Sequence, residues 1–280
     1  DDVEEVTNYL RAFRLVREQL RAPDGLPISV RLLCEAHRLL LDGVRGAGKQ
    51  PGELRRSQNW IGGARPGKAV FVPPPPEQVP ALLGDLEHFI HEARPTLPPL
   101  VKVALVHAQF ETIHPFLDGN GRIGRLLIAA LIEHWGLLPE PLMYLSGHLK
   151  QHQFAYYQRL MAVRTEGDWE SWVAFFLDGV LAAAQQAERN IVALASLINA
   201  DRRRLLAEPK ASPVAYRLFE QLPVMPRFTI EGARQALQTT FPTATAAIKV
   251  LEGLGIVAEL TGLKKNRSYS YKAYIELMAE

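Results

Sequence analysis

The densest chemistry in this chain lies between His114 and Arg125, where an imidazole, a carboxylate, three glycines and two guanidinium groups fall within one short segment. An imidazole titrates near neutral pH, so His114 suits removal of a proton from an attacking hydroxyl. Asp118 stands just before the glycines, placed to hold Mg²⁺ against phosphate oxygens, since that ion takes one or two carboxylates plus phosphate ligands. Arg122 and Arg125 are three apart, share a face if helical, and offer planar donors to successive phosphoryl groups. Gly119 and Gly121 let the backbone approach an anion closely. Together these residues describe nucleotide-dependent group transfer.

Two helices must hold that segment. Val101, Leu105, Val106 and Phe110 recur at helical spacing, and Pro115 disfavours helix at the residue before it, so a helix should end near Thr112 with His114 on a loop. Ile123, Leu126, Leu127, Ala130, Leu131 and His134 repeat at three and four, and Gly136 supplies a stop. The second helix therefore starts inside the motif, and its unpaired N–H groups and positive dipole end suit a phosphate chain. Around this pair, apolar stripes predict helices over 6–20, 29–41, 79–92, 97–112, 150–164, 168–183 and 187–206. The fold class is mainly α, a helical bundle.

One stretch breaks the pattern. Residues 46–76 are rich in Gly, Arg and Pro, and the β-prone pieces 59–61 and 69–72 flank Gly62-Gly63-Ala64-Arg65-Pro66-Gly67, which suggests a hairpin. Pro73 to Pro76 would hold its exit extended. Composition alone reads as a surface loop with a proline-rich spacer.

The motif resembles the core of the Fic family, His-x-Phe-x-Asp/Glu-Gly-Asn-Gly-Arg-x-x-Arg, with every specified position met. That resemblance implies a protein adenylyltransferase: AMP passes from ATP to a Tyr, Ser or Thr hydroxyl of a target protein, or of the enzyme itself, and pyrophosphate leaves. His114 would be the catalytic base and Asp118 the Mg²⁺ ligand. Phe116, Gly119, Asn120, Gly121, Arg122 and Gly124 would form the nucleotide cradle, with Arg125 on the terminal phosphate. The 46–76 stretch looks like the family's flap, in which Ile61, Gly62, Gly63 and Ala64 would pair with the target as an added strand. Tyr156 and Tyr157 resemble paired tyrosines near the adenine, although two rings packing a helix on the core would read the same. Relatives often form homodimers.

Many such enzymes restrain themselves with a helix bearing Ser/Thr-x-x-x-Glu-Gly/Asn, whose Glu competes for the second motif arginine. No Glu here has Ser or Thr four residues before it. The expectation is that this helix has been lost or trimmed, or that a partner supplies the Glu, leaving Arg125 free for the γ-phosphate.

Length and charge fit this reading. With 280 residues, 48% of them hydrophobic, the chain can bury a large core, and its net charge of +2 argues against dominant nucleic-acid or membrane electrostatics. The single cysteine, Cys34, allows no intrachain disulfide and suggests a reducing compartment. The acidic start, Asp1-Asp2-Val3-Glu4-Glu5, is unlike a signal peptide, and the apolar runs are short for a bilayer, so a cytoplasmic location without membrane contact is expected.

Past Leu206, Glu208-Pro209-Lys210-Ala211-Ser212-Pro213 reads as a hinge, which divides the chain into a catalytic domain, 1–207, and a small domain, 208–280. Helical stretches at 214–222, 230–237 and 243–254 precede strands at 256–260 and 268–271, joined by a tip carrying Lys264, Lys265 and Arg267. This resembles a winged helix-turn-helix. The tip suits phosphates, but the presumed reading helix lacks Arg, Asn and Gln, so a DNA partner and a protein-docking role both stay open. Two further functions remain beside AMP transfer: another nucleotide-dependent phosphoryl transfer, and a DNA-binding regulator using the core as a sensor.

Overall fold

The computed structural model describes residues 2–63, 65–93, 96–263 and 265–279. Ala64 of the expected flap and Lys264 of the expected wing tip lie outside them. The chain forms two compact units, Asp1–Ala184 and Gln185–Glu280.

The first unit is helical: α1 (Asp2–Arg21), α2 (Val30–Leu40), α3 (Val79–Ile90), α4 (Pro99–Ile113), α5 (Asn120–His134), α6 (Leu145–Gln151), α7 (Gln153–Glu166) and the start of α8 (Trp169–Leu206). The helix α4 is at its centre. Val103, Ala104, Val106, Ala108, Phe110 and Ile113 are all fully buried, as in a helix that is surrounded rather than amphipathic. α4 packs against α3, α5 and α7, and α1 packs against α2 and α5. Trp172 closes the core from α8, its Nε1–H donating to the Ala104 carbonyl at 2.9 Å.

The helix starts follow capping chemistry. Pro99 opens α4, where its missing N–H costs nothing. The Ser29 side chain accepts from the Leu32 N–H at the head of α2. Asp168 Oδ1 accepts from the Ser171 N–H at the head of α8. The structure departs from the sequence pattern in two helices. The expected pair at 168–183 and 187–206 is one continuous helix, because the joining residues Ala184, Gln185 and Gln186 are good helix formers and nothing there ends it. A separate short helix, α6, precedes α7, and the break falls at His152 (φ −103°, ψ 33°).

The second unit comprises the last part of α8, α9 (Pro213–Gln221), β1 (Arg227–Thr229), α10 (Ile230–Leu237), α11 (Phe241–Gly253), β2 (Ala258–Glu259), β3 (Ser268–Ser270) and α12 (Lys272–Ala279). The antiparallel sheet has the order β1-β3-β2, with Phe228 opposite Tyr269 and Ala258 opposite Ser270. Ser212, Thr229 and Thr240 each cap the helix that follows. Leu205, Leu218, Phe219, Leu251 and Tyr271 form its core, and the Tyr271 hydroxyl donates to Asp201 Oδ2 at 2.7 Å. Among the described residues no helix is long and apolar enough to cross a membrane.

Candidate active site

His114 is the cap of α4, and its backbone is left-handed (φ 50°, ψ 61°). A non-glycine residue there costs about 1–2 kcal/mol, so its surroundings must hold it. Arg55 does much of this. Its side chain is buried, Nε donates to the His114 carbonyl at 2.9 Å, and Nη2 reaches the Ile113 and Pro74 carbonyls. The Arg55 N–H also donates to the Pro115 carbonyl at 2.9 Å. A guanidinium on the carbonyls at a helix C-terminus is favourable for the dipole as well.

The left-handed turn leaves the His114 side chain 19% exposed. Burial pushes its pKa down to about 4, opposed by the nearby Glu111 backbone carbonyl and reinforced by the positive charges of Arg164 and Arg55. The imidazole is therefore neutral at pH 7 and able to accept a proton.

The loop after it is clasped from within. The buried Asn120 carboxamide accepts from the Phe116 N–H and donates to the Phe116 carbonyl, both at 2.8 Å. Gly119 caps α5 at φ 79°, and a Cβ there would lie 3.2 Å from His37 Nε2. His37 of α2 is fully buried behind the loop, stacked on Phe116 with ring centroids 3.8 Å apart. Its Nδ1 accepts from the Gly52 N–H, so Nε2 carries the proton and donates to the Asp118 carbonyl, both at 2.9 Å. Burial lowers its pKa.

Asp118 is partly exposed. Its Oδ1 accepts from the Gly119 N–H at 2.6 Å and lies 3.7 Å from Arg122 Nη2. Among the described residues no group of three or more His, Cys, Asp or Glu side chains could hold a metal. One carboxylate with an oxygen left for an ion matches what Mg²⁺ asks of a protein when phosphates supply other ligands. The donor set therefore fits.

Arg122 and Arg125 line one groove of about 910 Å³ along α1 and α5, together with Tyr9, Ile128, Met143 and Tyr144. The N-terminal helix reaches into this region, since Glu5 Oε2 accepts from Arg122 Nη1 at 3.2 Å. Arg122 Nη2 is buried without a hydrogen-bond partner. Gly124, expected in the cradle, is buried on the α4 side of α5, and His107 Nδ1 donates to its carbonyl at 3.2 Å.

The flap stretch pairs at a single bridge, Ile61 with Phe71, where the sequence suggests a longer hairpin. Gly62 and Gly63 are exposed at φ 70° and 74°, and a Cβ on Gly63 would lie 2.1 Å from the Lys68 carbonyl. Asn59 ties the stretch to the motif by donating to the Phe116 carbonyl at 3.0 Å. Arg164 of α7 sits over the Phe71 ring at 4.0 Å while donating to the Glu111 carbonyl and to Thr112 Oγ1.

The two tyrosines part company. Tyr156 is buried, with its hydroxyl 2.9 Å from His107 Nε2 and its ring against Trp172. Tyr157 is half exposed. His37, Arg55, Asn59 and Arg164 are the site residues that local sequence missed. Each acts on a carbonyl or ring far along the chain, and only the place of Arg55 and Asn59 within the 46–76 stretch offers any hint.

These features define a helical core that presents a neutral imidazole beside an arginine-bearing helix N-terminus. Residues 27–132 match the model of the Fic/DOC family. The protein adenylyltransferase Fic of Drosophila grimshawi is 34% identical over 157 residues, covering 55% of this chain and 29% of that protein. Its Aedes aegypti counterpart is 34% identical over 155 residues, covering 54% and 27%. The chain thus spans under a third of the length of these curated relatives. A Fic family protein from Desulfovibrio desulfuricans shares the fold over 96% of this chain and 74% of its own, with a TM-score of 0.57 at 22% identity. Fic-1 from Caenorhabditis elegans covers 67% of this chain and 51% of its own, with a TM-score of 0.53 at 25% identity.

Proposed function

We propose that this chain is a protein adenylyltransferase, moving AMP from ATP to a Tyr, Ser or Thr hydroxyl of a target protein and also to itself. The observation that carries the reading is His114, a neutral imidazole fixed in a left-handed turn at the mouth of the α5 N-terminus. His114 takes the proton of the target hydroxyl. The freed oxygen attacks the α-phosphorus of ATP, the bond from that phosphorus to the bridging oxygen breaks, and pyrophosphate leaves. The N–H groups at the start of α5 and the guanidinium groups of Arg122 and Arg125 receive charge that moves onto the phosphate oxygens. Asp118 would hold Mg²⁺, which neutralises phosphate charge when bound.

The flap residues Ile61, Gly62 and Gly63 offer an edge for the target backbone, the mode in which an extended peptide adds a strand. Tyr157 is the more accessible tyrosine for a nucleotide base, while the hydroxyl of Tyr156 is engaged by His107. Residues 1–207 would be the catalytic domain and 208–280 a winged helix-turn-helix. Three helices, with β1 between the first two, and a small antiparallel sheet completed by β2 and β3 support that second assignment.

Intact-mass analysis after incubation with ATP and Mg²⁺ tests the reading. The expected result is one adenylate on a Tyr, Ser or Thr, absent from His114→Ala. A phosphate adduct in its place would assign the alternative phosphoryl transfer.

A further inference from the structure

Glu111 lies in α4 one turn before His114, and its side chain is only 8% exposed. Carboxylates this deep are normally paired. Here Oε1 has no hydrogen-bond partner, and Oε2 lies 3.9 Å from His114 Nδ1, which is itself buried and unpartnered. Glu111 Oε1 and His114 Nδ1 are thus both orphaned in the interior, on side chains that approach each other through Oε2, a costly arrangement unless the two groups meet.

Space has been made for this carboxylate. A Cβ on Gly124 would stand 2.4 Å from Glu111 Oε1, so any side chain at that position on α5 would push the carboxylate from its present place. Arg125 on α5, Arg164 and Tyr156 on α7, and His107 on α4 are the other charged or titratable groups around it. Arg164 is spent on the Glu111 backbone carbonyl, and Tyr156 and His107 are spent on each other. Arg122 and Asp118 are paired with each other. Arg125 acts on the carboxylate by charge, and His114 Nδ1 is the buried neighbour left without a hydrogen-bond partner. Burial raises the Glu111 pKa to about 7, partly offset by Arg125 and Arg164.

We propose that Glu111 is a positioning residue for His114: its carboxylate accepts a hydrogen bond from Nδ1–H, fixing the tautomer whose Nε2 lone pair faces the target hydroxyl. Because Nδ1 is the shielded nitrogen, Nε2 is the one that receives the hydroxyl proton. The carboxylate then holds the resulting imidazolium until Nε2 releases that proton. The inference rests on His114 being the base of the proposed transfer. A 3.9 Å separation closes to bonding distance by side-chain rotation, as catalytic hydrogen bonds often do on substrate binding.

The test uses the full chain with nitrogen-15-labelled histidine, comparing the unaltered protein with Glu111→Gln and Glu111→Asp. Circular dichroism first checks that each variant is folded. By NMR, without nucleotide, His114 should hold its proton on Nδ1 in the unaltered protein. It should lose that preference in Glu111→Gln and keep it in Glu111→Asp. With ATP, kcat for labelling should rise through pH 7 in the unaltered protein, as Glu111 ionises. In Glu111→Gln that limb should vanish and kcat fall about 10- to 100-fold, a share of what proton transfer contributes, with KM for ATP unchanged. An unchanged His114 tautomer in Glu111→Gln, with a loss confined to KM for ATP, would assign Glu111 to Arg125 and overturn the proposal. A tautomer change in a protein that transfers no AMP would sink the reaction and leave the pairing standing.

Discussion

The loop that carries His114 and the proposed flap are built on opposite principles. The loop is fixed by buried side chains from several elements: Arg55 on its carbonyls, Asn120 across its neck, His37 stacked beneath and Asn59 from the side. The flap is joined at one bridge and carries two exposed glycines with positive φ. Chemistry that depends on a transition-state geometry tolerates little displacement, so its support is over-determined. Recognition of a target backbone instead needs a free edge, and unpaired strand groups supply one.

The sharpest way to break this contrast is at His114. His114→Ala should lower AMP transfer about 10²- to 10⁴-fold without weakening ATP binding, measured by labelling rate and by calorimetry. Arg55→Met comes next. It removes the donor from three carbonyls and should let the left-handed turn relax, cutting kcat while the groove at Arg122 and Arg125 still binds ATP. Thermal melts should show a loss of about 1–3 kcal/mol for the unsatisfied carbonyls.

Gly63→Val should separate the two regions. Its Cβ would collide with the Lys68 carbonyl, so KM for a protein target should rise while the ATP affinity stays the same. An equal loss of both would mean that the flap and loop act as one unit.

The smallest effect is on stability against pH. His114 and His107 have folded pKa values lowered by burial, to about 4 and about 3. The unfolded chain binds more protons there, so both contributions are complete above pH 6.5 and are lost as pH falls through that window. Glu111 has the opposite sign. Its pKa is raised by burial to about 7, so it lowers stability as pH rises from 4.5 to 7. Glu111→Gln should therefore gain melting temperature at pH 8 relative to the unaltered protein, and gain less at pH 4.5.

Spacing revealed what is local. The end of α4, the start of α5 and the chemistry between them followed from Pro115, the glycines and two apolar stripes within one short stretch. The supports were not legible. His37 bonds a carbonyl 81 residues away and Arg55 one 59 residues away, and no periodicity encodes such distances. The pattern of His37 on α2 also looks the same whether the ring faces solvent or a neighbouring loop. The continuous α8 departs from the predicted pair for another reason: the residues joining 183 to 187 favour helix, and nothing there ends it. β1 and α12 are short segments whose formation depends on β3 and the core of their unit, so propensity alone does not announce them.

The most direct test of the central claim is the fate of the label when the protein is incubated with ATP labelled at either the α or the γ phosphorus. With Mg²⁺ and a hydroxyl-bearing target, the α label should become covalently attached to protein, and the γ label should leave as pyrophosphate, with neither outcome seen in His114→Ala. Attachment of the γ label, or equal attachment of the α label in His114→Ala, would contradict it.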